Sequence, residues 1–222
     1  MITRVGMAPR AAGLTYETCQ EHWRNEHAGL AGQLVGLRSY IQNHSVLVDG
    51  LPLFPYPGFD ACSELSFDDI ASMDAAFASE HYRSAVTADE FSLIDKSRWT
   101  MLLTHRRVII DSEVPDDAVK LLSFLPLHPN STPEGLEEVL TGRYAAVVSD
   151  AEPLRHHQLV VDTAAHEGRV APICAAVDQI WFPDVATGLE FVKGEIGHEA
   201  SYELAGVTFG VERLLARPNR VV

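Results

Sequence analysis

The chain carries an internal duplication, and this feature limits the folds open to it more than any other. When residues 1–50 are moved forward by 117 positions, seven identical residues align: Pro9 with Pro126, Thr15 with Thr132, Glu17 with Glu134, Glu21 with Glu138, Ala28 with Ala145, Leu37 with Leu154 and Arg38 with Arg155. Further on, Phe67, Asp69 and Ala71 align with Phe182, Asp184 and Ala186 at a shift of 115. The sequence therefore predicts one fold of about 110 residues that is present twice.

Each copy shows the element order β-α-β-β-α-β, which is typical of a ferredoxin-like unit. In the first copy we expect strands near 2–8, 37–48, 61–67 and 99–110, with helices from Thr15 to about residue 35 and from Asp69 towards Ala88. In the second copy we expect strands near 119–125, 154–163, 176–182 and 205–215, with helices near 132–148 and 184–196.

A sheet with helices on one face needs a partner for its other face, and the duplicate provides one. The predicted fold class is α+β, with two ferredoxin-like βαββαβ units fused into an intrachain pseudo-dimeric α+β barrel. The predicted domains are residues 1–110, which carry the pocket, an acidic linker at 111–117, and a degenerate unit at 118–222.

Composition excludes several classes of partner. Lys and Arg number 17 against 31 Asp and Glu, so the net charge of −14 disfavours nucleic acid and anionic membrane surfaces. No apolar run approaches the length of a membrane-spanning helix. The three cysteines form no CxxC pair and no export signal is evident, so the cytoplasm is the expected location.

Polar residues that occur in one copy only are the candidates for chemistry, because shared residues are more simply explained by the fold. In the first helix, His22 and His27 have no histidine counterpart, and His27 lies opposite Tyr144 at the shift of 117. The neighbouring Trp23 and Leu30 direct His27 towards the sheet. A lone histidine is more often a core or surface residue than a catalytic one, so the next strand decides the argument.

Strict alternation puts Tyr40, Gln42 and His44 on one face of the second strand. At the shift of 117 they lie opposite His157, Leu159 and Val161, so two of the three have become apolar. If this row faces the helices, His27 lies above it and the two enclose a polar pocket. On the next strand Glu64, which aligns with Gln179, is expected to join from the side, and Cys62 shares its alternation. The Cys62 thiol has no basic neighbour, which favours a small apolar filler over a nucleophile.

These residues resemble the EthD-like family of the dimeric α+β barrel superfamily. The resemblance rests on His22-Trp23 … His27-Ala28, Leu37 to His44, Asp60 … Glu64 and Ala88-Asp89-Glu90 … Asp95 … Arg98, and it covers most of residues 1–110. It implies ferredoxin-like units paired sheet to sheet, with a small-molecule pocket between sheet and helices. Relatives include lactone isomerases, cofactor-free monooxygenases, polyketide cyclases and dehydratases, and haem enzymes, so the family fixes the fold better than the reaction.

The favoured hypothesis is a cofactor-independent lyase or isomerase, of dehydratase or isomerase type, acting on a small hydrophobic carbonyl, lactone or phenolic compound, as in aromatic compound catabolism. Histidine suits proton removal and return near neutral pH. The predicted catalytic residues are His27, His44 and Tyr40. The predicted substrate-binding residues are Trp23, Gln42, Phe59, Cys62, Glu64 and Glu90, with Glu90 also able to orient a histidine. For the acidic run Asp89-Glu90 and Asp95, solvated charges paired with Arg98 and Arg83 are the simpler interpretation.

Three alternatives stay open. A haem enzyme would use His27 or His44 as ligand, although no strong basic pair is evident for the propionates. A metal site from His22, Glu26, His27 and His44 is disfavoured, because His22 and His27 are not expected on one helix face. A non-catalytic accessory protein would bind a hydrophobic intermediate without turnover. A homodimer of fused barrels is also compatible with the sequence.

Overall fold

The computed structural model describes all residues from Met1 to Val222. The chain divides into two compact units. Unit 1 comprises Met1–His105, Asp162–Pro172 and Pro218–Val222, and unit 2 comprises Arg106–Val161 and Ile173–Arg217. The division of the sequence at a 111–117 linker stays a prediction about the two copies.

Unit 1 contains a four-stranded antiparallel sheet in the order β2-β5-β1-β6. Its long strands are β1 (Ile2–Ala8), β2 (Leu37–Ser45), β5 (Ala61–Phe67) and β6 (Thr100–Asp111), the last of which continues into unit 2, and a short hairpin joins β3 (Leu47–Val48) to β4 (Leu51–Pro52). Read from β6 to β2, the four long strands lie in the order fourth, first, third and second along the chain. This is the ferredoxin-like arrangement predicted from the sequence.

The helical layer of unit 1 contains two π-helical turns. The first helical region consists of α1 (Tyr16–His22), a π-helical turn (Trp23–His27) and α2 (Ala28–Ala31). The second consists of α3 (Ile70–Ala78), another π-helical turn (Tyr82–Val86) and α4 (Thr87–Leu93). Thr15 and Asp69 cap the first helix of each region as predicted, because each side chain accepts a hydrogen bond from a backbone N–H three residues later.

Unit 2 repeats the arrangement, with the sheet order β10-β7-β9-β8. Its strands are β7 (Val119–Leu125), β8 (Arg155–Val161), β9 (Ala176–Phe182) and β10 (Glu212–Arg220), and its helices are α5 (Pro133–Thr141), α6 (Arg143–Ser149), α7 (Val185–Lys193) and α8 (Glu195–Ala205). The predicted strand at 205–215 is wrong at its start. Gly194 interrupts the helix only briefly, α8 then runs to Ala205, and the strand begins at Glu212.

Candidate active site

Two histidines of the first helical region share one carboxylate. Asp89 on α4 accepts from both rings: its Oδ1 lies 2.7 Å from His22 Nε2 and its Oδ2 lies 2.8 Å from His27 Nδ1. The side chains of His27 and Asp89 are 9% and 12% exposed, whereas that of His22 is 26% exposed. The His27–Asp89 pair is therefore the more desolvated of the two, and charge-assisted hydrogen bonds of this kind hold a ring firmly.

The π-helical turn explains why both histidines reach Asp89. Within it the N–H of Ala28 bonds to the carbonyl of Trp23, five residues back, so residues five apart come onto one face. His22 and His27 are five apart. The expectation that they lie on different faces is wrong, because it assumed an uninterrupted α-helix. A π-helical turn of this kind is frequently found at a functional site.

His27 lines a small cavity of about 40 Å³. Its Nδ1 is bound to Asp89 and its Nε2 makes no hydrogen bond within the protein. The walls of the cavity are formed by Arg4, Gly6, Met7, Ala8, Trp23, His27, Ala61, Ser63, Glu90, Leu93, Ile94 and Trp99. Trp23 and Glu90, both predicted as substrate-binding residues, thus lie at the same cavity as His27. Nδ1 is fixed by a carboxylate while Nε2 is left without a partner, which is the arrangement of an oriented general base.

The acidic run on α4 divides into two functions. Asp89 contacts the histidines, although the sequence favoured a solvated or ion-paired side chain for it. Glu90 instead pairs with Lys96 and accepts from the hydroxyl of Tyr82 at 3.2 Å. The expectation that Glu90 orients a histidine is therefore wrong, because the preceding residue, Asp89, contacts the histidines. Asp95 does pair with Arg98, at 2.8 Å, as the sequence suggested.

Tyr40, Gln42 and His44 face the helices as predicted, but they form a closed network beneath Trp23. The Trp23 indole N–H donates to the Tyr40 hydroxyl at 3.2 Å, and its ring lies 4.6 Å from that of His44. Gln42 donates to the Trp23 carbonyl at 2.7 Å and to the Tyr40 hydroxyl at 3.0 Å. Its own oxygen accepts from His44 Nε2 at 3.1 Å and from Asn219 at 2.9 Å. None of the three strand residues lines the cavity of His27.

Burial sets the protonation of this network. His44 is 1% exposed, and desolvation, aided by the charge of Arg24, lowers its pKa to about 3. Desolvation raises the pKa of Tyr40 to about 12, against the opposing hydrogen bonds from Gln42 and Trp23. Both side chains are therefore neutral near pH 7, and His44 cannot serve there as a cationic acid.

Glu64 and Cys62 point away from this pocket. In the β2–β5 pairing Gln42 lies opposite Ser63, whereas Glu64 lies opposite Ile41, so Glu64 and Cys62 belong to the other face of the sheet. There Asn43 donates to Glu64 Oε1 at 2.9 Å. Their predicted place beside His27 is wrong, because alternation on β5 sends Ser63 to the helices and its neighbours to the other face. Phe59 is buried, and it is not among the residues that line the cavity.

The paired strands also correct the alignment of the two copies. Gln42 pairs with Ser63 in unit 1, and Gln158 pairs with Asp178 in unit 2. Ser63 and Asp178 are equivalent at the shift of 115, so Gln42 corresponds to Gln158 and not to Leu159. A slip of one residue exchanges the two faces of a strand. Both glutamines donate to a helix carbonyl, that of Trp23 at 2.7 Å and that of Leu140 at 2.9 Å, so this glutamine belongs to the shared fold.

In unit 2 the position equivalent to the His27 cavity is filled by polar side chains that hydrogen-bond to one another. Tyr144, the counterpart of His27, donates to Asp178 Oδ2 at 2.7 Å. His156, the counterpart of Tyr40, lies 2.6 Å from Asp178 Oδ1, and both His156 and Asp178 are fully buried. The contrast between the copies is thus an open cavity in unit 1 against a closed cluster in unit 2.

Unit 2 has a larger cavity elsewhere, of about 460 Å³. Its walls include Phe182, Phe191 and Ile196 together with the carboxylates of Glu152 and Glu190. These walls contain no histidine, cysteine or cationic side chain. Size alone therefore favours this cavity, but the groups that can exchange a proton near neutral pH favour the smaller one.

A metal and a haem fit the site differently. Ligand atoms of His22, Glu26 and Asp89 lie within 4.8 Å of one another, so this group could hold a divalent cation at the edge of the site. The sequence argument against a metal relied on His22 and His27 being on different faces, and that premise is wrong. A haem does not fit this cavity of about 40 Å³, whose walls contain one Lys or Arg side chain, Arg4, and so lack a pair of cations for the two propionates.

Comparison with solved structures defines the class of fold. An anthrone oxidase-like protein is similar with a TM-score of 0.65 and 12% identity, over 99% of this chain and 93% of that one. A candidate monooxygenase from Fusobacterium nucleatum gives a TM-score of 0.61 with 9% identity, over 99% and 93% of the chains. A mutant chlorite dismutase from Candidatus Nitrospira defluvii gives 0.55 with 8% identity, over 97% and 90%. The chain therefore has the dimeric α+β barrel fold, as predicted.

The family of the first copy follows from its sequence. Residues 11–97 match the family model described as "EthD domain", and this segment contains the His22–His27 turn, the Tyr40–His44 row and Asp89. The first copy thus matches an EthD domain over residues 11–97, which confirms the predicted resemblance. No curated protein matches the chain. No helix is both long and apolar enough to cross a membrane.

Proposed function

We propose that the chain is a small-molecule enzyme in which His27 removes and returns a proton, with Asp89 holding the ring. The single observation that carries this proposal is the 2.8 Å contact between His27 Nδ1 and Asp89 Oδ2, beside a cavity that the same ring lines. The reaction class is a cofactor-independent lyase or isomerase step on a small carbonyl, lactone or phenolic compound. A cytoplasmic pathway for aromatic compounds suits this chemistry.

The chemistry follows from the two ring nitrogens. Asp89 accepts a hydrogen bond from Nδ1–H, which leaves the Nε2 lone pair as the acceptor for a substrate proton. The imidazolium that forms is stabilised by the same carboxylate and can return its proton from Nε2. Trp23, Met7 and Leu93 give the cavity apolar walls, which exclude water and strengthen these interactions. The site thus joins an oriented base to a desolvated cavity.

The strand residues receive a revised role. Gln42, Tyr40 and His44 support Trp23 through hydrogen bonds and ring contact, so they fix the helix that carries His27. We therefore propose them as positioning residues. His27 is the one histidine that we place in contact with the substrate. Such support matters because displacement of a reacting group by about 1 Å can cost about 10²-fold in rate.

The test is turnover of a panel of small carbonyl, lactone and phenolic compounds by the purified chain and by two variants. His27→Gln is expected to lose on the order of 10²–10⁴-fold in kcat/KM, as removal of a general base does. Asp89→Asn is expected to lose activity as well, since an amide cannot stabilise the imidazolium. The matched control is His105→Gln, because His105 also pairs with an aspartate, Asp162 at 2.9 Å, but lies at the surface with its side chain 60% exposed.

Full turnover in His27→Gln would refute the proposal. Ligand binding without turnover in the wild-type chain would favour an accessory binding protein. Activity that disappears with a chelator and returns with a divalent cation would instead assign the chemistry to the His22, Glu26 and Asp89 group.

A further inference from the structure

Arg4 on β1 brings a buried positive charge to the His27 cavity. The residue is 7% exposed, and its guanidinium lines the same cavity as His27 and Trp23. The guanidinium carbon lies 4.3 Å from the ring centroid of Phe77 and 5.1 Å from that of Trp99. The cation is therefore in contact with two aromatic rings at the wall of the cavity.

The guanidinium has no carboxylate partner. It makes no side-chain hydrogen bond and no ion pair, although it carries five donors. Glu90 acts on it only at longer range, because that carboxylate is engaged by Lys96 and by the Tyr82 hydroxyl. Burial lowers the pKa of Arg4 from its ordinary value, which reflects the cost of desolvating an unpaired charge. Cation–π contacts offset only part of that cost.

The backbone around Arg4 leaves space for a bound group. A Cβ at Gly6 would lie 3.0 Å from Ser63 Oγ and 3.1 Å from Arg4 Nη1, so glycine keeps this side of the cavity open. The volume of about 40 Å³ accommodates roughly three water-sized groups, which is the size of a carboxylate. In unit 2 the counterparts of Arg4 and Gly6 are Leu121 and Ser123, so the cation and the space are specific to unit 1.

We propose that Arg4 binds an anionic oxygen group, a carboxylate, of the substrate in the His27 cavity. The inference rests on the proposed function, because it names the substrate class of the same site: a small carboxylic acid whose neighbouring C–H faces His27 Nε2. A planar guanidinium matches a carboxylate with two parallel hydrogen bonds. Binding the anion supplies the charge partner that the protein itself withholds from Arg4.

Acetate and its neutral isostere acetamide are the probes, at constant ionic strength. The chain has three tryptophans, and their indole N–H signals can be followed by NMR. Acetate is expected to shift the signals of Trp23 and Trp99, which line the cavity, and to leave Trp181 of unit 2 unchanged. Acetamide is expected to shift none of them. Equal responses to both probes, or an acetate response confined to Trp181, would overturn the proposal without any variant.

Variants then test Arg4 itself. Arg4→Met is expected to weaken acetate binding by about tenfold or more. Arg4→Lys is expected to give an intermediate affinity, since lysine keeps the charge but cannot make the two parallel hydrogen bonds of a guanidinium. Arg38→Met removes the same charge from an exposed pair with Asp68 and is expected to bind like the wild type. Unchanged acetate affinity in Arg4→Met, or in Arg4→Lys should the methionine variant not fold, contradicts the proposal.

The two proposals fail separately. His27→Gln is expected to bind acetate while losing turnover. Acetate binding through Arg4 in a protein with no His27-dependent turnover would leave the anion site in place and remove the proposed reaction. Turnover that depends on His27 but not on Arg4 would support the proposed reaction and remove the proposed anion site.

Discussion

His44 offers a quantitative prediction, because the structure makes it a buried neutral histidine whose stability contribution depends on pH. Its pKa is about 3 in the folded chain, against 6.5 for the free side chain. His44 therefore binds a proton below about pH 6.5 in the unfolded chain, but only below about pH 3 in the folded chain. The stabilising effect is complete above pH 6.5 and is lost as the pH falls towards 3.

The magnitude follows from linkage. Each pH unit below 6.5 costs about 1.4 kcal/mol, so a change from about pH 7.5 to about pH 4.5 costs roughly 3 kcal/mol through His44 alone. His44→Gln keeps a donor for Gln42 Oε1 and cannot titrate. We expect the wild type to lose roughly 3 kcal/mol more than this variant over that interval. His157, whose pKa is lowered to about 4, contributes equally to both proteins and cancels.

The assay is urea unfolding at a series of pH values, followed by tryptophan fluorescence, because Trp23 contacts His44 directly. The free energy of unfolding of the wild type and of His44→Gln should converge as the pH falls from neutral, with the wild type losing more. A constant difference between the two proteins across this interval would show that His44 is not a neutral buried group. Protonation of the His44 ring near pH 6 in an NMR titration would refute the reasoning directly.

The remaining predictions concern the shared fold, the cavity and unit 2. Gln42→Leu should cost about 3–4 kcal/mol of unfolding free energy, because it removes hydrogen bonds to four partners, whereas Gln158→Leu removes two and should cost about half as much. Equal losses in the denaturant midpoints would contradict this difference in hydrogen bonding. Gly6→Ser should reduce turnover by crowding Ser63, with a native circular dichroism spectrum. Tyr144→Phe should cost about 1–3 kcal/mol and leave turnover unchanged, since it removes the donor to Asp178 outside the proposed site; lost turnover in a folded variant would place chemistry in unit 2.

The sequence predicted the fold well because the duplication and the alternating strands report on backbone geometry. Strands β7 and β9 have the predicted bounds, and both helix caps lie at the predicted threonine and aspartate. The α8 region failed because a strand-like apolar run after Ala205 lies in a turn, with the strand beginning only at Glu212.

The site was harder to predict, since a shift of one residue in the helix period or in the strand alignment changes which side chains meet. The π-helical turn at Trp23–His27 adds one residue to the helix period and brings His22 and His27 to one carboxylate. The alignment slip of one residue hid Gln158 as the partner of Gln42. Arg4 carried a signal in the sequence, because it aligns with Leu121 at the shift of 117 and is therefore a charged residue present in one copy only.

The proposed chemistry depends on one proton: the hydrogen on Nδ1 of His27, which is hydrogen-bonded to Asp89 and leaves Nε2 as the base. Nitrogen-15 NMR of the two ring nitrogens in the neutral imidazole measures this tautomer directly. We expect the Nδ1–H form in the wild type. A wild-type ring that carries its proton on Nε2 would contradict it, because Nε2 could then accept nothing from a substrate.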